Sequence, residues 1–105
     1  MSNNQQDAAP ASAENTIFTH KLAAKLMVHG EMVDSISLRE PTAKEVRQFG
    51  YPFRVRGDES VEMLGDIAHK YIVTLAAAPP DAIDKMAAKD FMALQAGLMD
   101  FFAPA

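Results

Sequence analysis

The stretch "SISLREPTAKEVRQFG", residues 35–50, changes its period at the middle. Ile36 and Leu38 alternate with Ser35, Ser37 and Arg39, the period of two of a strand with one wet face. After Glu40 and Pro41 the apolar spacing becomes Val46 to Phe49, one helical step. Pro41 biases Glu40 toward extended backbone and so ends the strand. Thr42 and Glu45 stand in the S/T-x-x-E order of a capping box, in which each residue satisfies a backbone N–H of the other. Gly50 stops the helix, because it accepts the left-handed conformation that closes a helix end. A strand is therefore handed to a short helix through Leu38, Arg39, Glu40, Pro41 and Thr42, which makes the class α+β.

Upstream, Phe18, His20, Leu22, Ala24, Leu26 and Val28 again alternate with Thr19, Lys21 and Lys25, so a second strand precedes the first. The two predict a β-hairpin over residues 17–39. A two-residue His29-Gly30 turn pairs Leu26 with Val33 and sets an apolar face beside a polar one. A three-residue loop puts Gly30 at the left-handed bulge position and pairs Leu26 with Met32 and Leu22 with Ile36, which is the preferred register. Asp34 then falls on the apolar face opposite Ala24, and either a wet sheet edge or a bulge accommodates it.

Downstream, Val61, Leu64, Ala68, Tyr71, Ile72 and Leu75 repeat at about 100° per residue, opposite Glu59, Glu62, Asp66, His69 and Lys70. The spacing predicts a helix over 59–78, capped by Asp58 and closed by Pro79 and Pro80. A short turn over Asp81 to Met86 carries Ile83 and Met86 inward, and a last helix spans about 88–102. Tyr51, Phe53 and Val55 alternate, as in a short third strand or a core-capping loop. Residues 1–15 hold no branched aliphatic or aromatic side chain and read as a disordered tail. The expected architecture is a single domain, 16–105, with an N-terminal β-hairpin packed on a bundle of about three helices (42–50, 59–78 and 88–102).

The 105 residues are 49% apolar and 23% charged, the balance of one globular domain. A net charge of −4 supplies no long-range attraction to nucleic acid or anionic membrane, and the absence of cysteine excludes disulfides and thiolate metal sites. No signal peptide is visible, and the longest apolar run, Ile72 to Ala78, is far short of a membrane span. A soluble cytoplasmic protein is expected.

Glu62, Asp66 and His69 share one helix face in the spacing a metal or an acid–base site could use, but a solvated face accounts for them as well. His20 and His29 have no further ligands at metal spacing. No nucleophile elbow, phosphate loop or zinc-protease motif is present, so no catalysis, metal or cofactor is expected. "YPFRVRG" interleaves aromatics with arginines like a small nucleic-acid patch. The last helix carries Phe91, Leu94, Leu98, Phe101 and Phe102 across half its circumference, more than one neighbouring helix needs. Two readings stay open: these side chains close the core, or the surplus covers an apolar partner or another copy of the chain.

Three segments carry a resemblance. "LREPT" (38–42), "PPDAID" (79–84) and "KDFMALQ" (89–95), in this order behind a hairpin, resemble the tail assembly chaperones of contractile-tailed temperate bacteriophages, the family that includes the Mu-like and P2-like chaperones. The resemblance runs from about Leu26 to Phe102; the polar tail and "YPFRVRG" depart from it. It implies a non-enzymatic protein of the host bacterial cytoplasm, absent from the mature virion. Its implied partners are the tape measure protein, held soluble until the tube polymerises, and the tail tube protein. The resemblance also implies a longer frameshifted version of the chain itself, and "DFF" at 100–102 can be encoded by a slippery T-rich heptamer. A small prophage-encoded DNA-binding regulator is the alternative.

Overall fold

A computed structural model of the chain describes residues 17–102. The tail expected over 1–15 lies outside the described residues. Strands β1 (Ile17–Val28) and β2 (Glu31–Arg39) form an antiparallel hairpin. Helix α1 (Ala43–Phe49) follows, then a small ribbon of β3 (Phe53–Val55) and β4 (Val61–Met63). Helices α2 (Gly65–Ala76), α3 (Pro80–Asp84) and α4 (Ala88–Asp100) complete the α+β order.

The corner at Arg39 is held as its residue types dictate. Thr42 Oγ1 accepts from the Glu45 N–H (3.2 Å) and Glu45 Oε1 accepts from the Thr42 N–H (2.9 Å), closing the capping box. The guanidinium of Arg39 donates to both oxygens of Glu45, at 3.0 and 2.6 Å. The last side chain of β2 is thus clamped to the first turn of α1. Arg39, above all, holds the Glu45 carboxyl down to about 2. At the other end of α1 Gly50 sits at φ +82°, which an L side chain resists.

The hairpin register differs from the expected one. Val28 pairs Glu31, Met27 pairs Met32 and Leu26 pairs Val33, so the turn is the two-residue His29-Gly30. Both turn residues have positive φ (52° and 81°), as a right-twisted hairpin prefers. His29 is held there by its Nε2, which donates to the Ala77 carbonyl at 2.9 Å. The register objection to this turn is removed by a bulge. Residues 22–25 stand opposite the single residue Asp34, and pairing resumes at Lys21 with Ser35 and His20 with Ile36. The bulge resets the alternation, so Leu22, Leu26, Ile36 and Leu38 are all buried. Met32, expected inside, lies outside and is exposed beside Met27.

The buried hairpin side chains meet Ala68, Tyr71, Ile72 and Leu75 of α2 and Leu94 and Leu98 of α4, with Ile83 of α3 at one end. The helix expected from residue 59 begins only at Gly65. Residues 61–63 are spent on β4, because Asp58 does not cap a helix but closes a turn, accepting from the N–H and hydroxyl of Ser60 at 3.0 and 2.6 Å. Pro80 opens α3 at its first position, and α4 ends at Asp100 with Phe101 and Phe102 in a turn. No helix among the described residues is long and apolar enough to cross a membrane.

Candidate functional site

Two constructions on this frame bear on function: a buried carboxylate that fixes the hairpin, and an aromatic shelf that ends in exposed apolar side chains. Asp90, in the first turn of α4, is 1% exposed. Its Oδ1 accepts from the Ala23 N–H (2.8 Å) and lies 2.9 Å from His20 Nε2, and its Oδ2 accepts from the Ala24 N–H (3.4 Å). The bulge leaves those two N–H groups without a strand partner, and Asp90 supplies one. The Ala23 N–H first, and the His20 imidazole after it, hold this carboxyl below the ordinary carboxylate range. One helical turn pair further on, buried Gly97 lets the Phe18 ring lie against α4; a Cβ there would stand 2.3 Å from a ring carbon.

The shelf is built from four elements. Tyr71 of α2 donates its hydroxyl hydrogen to the Gly50 carbonyl, and its ring meets Phe49 edge-on at 5.1 Å and Phe102 at 5.7 Å. Phe102 in turn meets Phe53 at 6.0 Å and Tyr51 at 6.2 Å. From there the ribbon projects. Phe53 pairs Met63 and Val55 pairs Val61, which puts these four on one face by alternation. Arg54 and Glu62 pair on the other face, where Arg56 reaches Glu62 at 3.3 Å. The apolar face is open: Tyr51 and Val55 are each 59% exposed and Val61 55%.

The residues expected to meet a partner do not form one exposed face. Leu94 and Leu98 are fully buried in the core, while Phe91, Phe101 and Phe102 are half-buried. Phe91 instead lines a cleft of about 440 Å³ with Asp66, His69, Ile83 and Asp84. His69 Nε2 lies 3.0 Å from Asp84 Oδ1 in that cleft. Glu62 does not join Asp66 and His69, since it sits on β4 and faces the arginines. Among the described residues no three His, Asp or Glu side chains are placed to hold a metal. The "YPFRVRG" arginines are likewise turned to Glu62, at 4.0 and 3.3 Å, so two guanidinium groups share one carboxylate.

The three sequence segments, 38–42, 79–84 and 89–95, all lie inside the stretch that matches a known family. Residues 19–103 match the family described as phage tail assembly chaperone proteins, E, or 41 or 14. The chain belongs to this family. The match spans the hairpin, the Arg39–Glu45 corner, the ribbon and all four helices. No curated protein and no solved structure gives a match. The chaperone family assigns a role in tail assembly and an interaction with tail proteins.

Proposed function

We propose that this tail assembly chaperone works without catalysis, by covering the apolar stripe of the tape measure protein until tube subunits polymerise around it. Family membership over residues 19–103 is the observation that carries the reading. The physical reason is supply and demand of apolar surface. A long amphipathic helix cannot bury its stripe alone, and the chaperone presents a ring-and-valine face that is exposed among the described residues. Phe102 adjoins that face through Tyr51 and Phe53, and the half-buried Phe91 and Phe101, with Leu94 and Leu98 buried behind them, are further proposed contact residues. Tail tube subunits and a longer frameshifted form of the chain are further proposed partners, and the host cytoplasm, not the virion, is the proposed place of action.

Co-expression with a cognate tape measure protein tests the reading. The tape measure protein should move from the pellet to the soluble fraction and co-purify with the chaperone. A tape measure protein equally insoluble with and without the chaperone removes it. Salt-sensitive retention on DNA, which counterion release would produce, favours the regulator instead.

A further inference from the structure

The ribbon's open face is the feature the fold does not explain. Four of the eight large apolar side chains exposed among the described residues, Tyr51, Val55, Val61 and Met63, adjoin one another on it. Single exposed apolar residues need no explanation, but a contiguous set does. The face carries no charge, because Arg54, Arg56 and Glu62 are turned to the back and paired there.

What covers it can be argued by exclusion. The residues outside 17–102 hold no branched aliphatic or aromatic side chain and so offer little apolar surface to match it. A second copy stacked on this face alone contributes on the order of 400 Å² per chain, about half of what a stable interface uses on each side. A helix fits better. Strands of three residues are about 10 Å long, and the apolar positions i, i+3, i+4 and i+7 of a helix span about the same length. We infer that the apolar face of β3–β4, with Tyr51 at its base, is the docking strip for two turns of an amphipathic helix in the partner protein. Such a contact is weak alone and gains strength when many chaperones line one long helix. This assignment rests on the proposed function and moves its working surface from α4 to the ribbon.

The test uses the full chain and the double variant Val55→Thr/Val61→Thr, which keeps the β-branched shape and removes only apolar surface. The probe is an 18-residue peptide of leucine, lysine and glutamate with leucines at i, i+3, i+4 and i+7, read by chemical shift perturbation. Shifts should concentrate at residues 51–63, and the variant should raise the Kd at least tenfold, while Met92→Ser, on exposed α4 surface, leaves it unchanged. Cross-strand contacts between Arg54 and Glu62 verify that the ribbon persists in the variant. Shifts centred on the Phe91 cleft, or an unchanged Kd, overturn the inference. A wild-type dimer that the variant dissociates also overturns it and gives the face to a second copy. Two results separate the two claims: tape measure solubilisation retained by the variant sinks the ribbon alone, and peptide binding lost in the variant without any solubilisation by wild type sinks only the tape measure reading.

Discussion

Replacing Gly97 by alanine sets two opposed effects against each other. In an ordinary helix interior the change stabilises by about 1 kcal/mol, because alanine loses less backbone freedom. Here the new Cβ would lie 2.3 to 2.5 Å from three ring carbons of Phe18, well inside van der Waals contact. The ring, wedged between β1 and α4, must swing out or push the strand away, an overpacking cost of about 2–3 kcal/mol. The net expectation is a loss of about 1–2 kcal/mol, or roughly 5–10 °C in Tm for a domain of this size. Urea denaturation measures it, as a lower midpoint with an unchanged slope. The sharper assay is the same substitution in a Phe18→Ala background. With the ring gone, Gly97→Ala should stabilise by about 0.5–1 kcal/mol, so the sign reverses and the coupling is on the order of 2–3 kcal/mol. A Gly97→Ala protein that is more stable than wild type in both backgrounds refutes the close approach of ring and helix.

Further outcomes follow from the corner and the shelf. The Glu45 carboxyl is lowered in the fold from 4.5 to about 2, so its contribution is complete above about pH 4.5 and is lost as the pH falls toward 2. With Arg39 43% exposed, screening limits that contribution to about 1 kcal/mol, and Glu45→Gln should remove this part of the acid dependence in a pH series of denaturation curves. Asp90→Asn should leave the Ala23 and Ala24 amides poorly held, seen as faster hydrogen exchange at those two positions while α2 stays protected. Tyr71→Phe should cost about 1 kcal/mol through the lost hydrogen bond to the Gly50 carbonyl. Sequencing the codons of residues 100–102 checks the proposed frameshift: a T-rich heptamer is expected, and codons without one end that proposal.

What could be read from the chain was what neighbouring residues decide. Thr42 and Glu45 are three apart, and Pro41 and Gly50 act on adjacent backbone, so α1 came out with its boundaries. The buried stripe of α2, Ala68 to Leu75, was legible for the same reason. The ribbon was not. Val61 and Leu64 continue the helical spacing of α2 by coincidence, and a three-residue strand is too short to show its own period against it. The signal that could have separated them is Asp58-Glu59-Ser60 behind Gly57, a turn sequence that also suits a hairpin. The hairpin register was missed because its decisive partner, Asp90, is remote; no window on β1 shows that Ala23 and Ala24 donate to a carboxylate in α4. The candidate surface shifted for a related reason: a helical arc gives apolar width but not how much of it the rest of the fold will cover, and Leu94 and Leu98 are completely buried in the core.

The Asp90 bond to the bulge also has a consequence in time. The chain is made from its N-terminus, and the hairpin leaves the ribosome long before Asp90 does, since the carboxylate lies 66 and 67 residues beyond the two amides it holds. Until then the Ala23 and Ala24 amides lack the carboxylate that holds them in the native alignment. The native alignment therefore gains this support only when α4 arrives and accepts from the two N–H groups. A nascent chain cut before α4 has a hairpin whose bulge amides are not yet held, and the last helix acts as their lock.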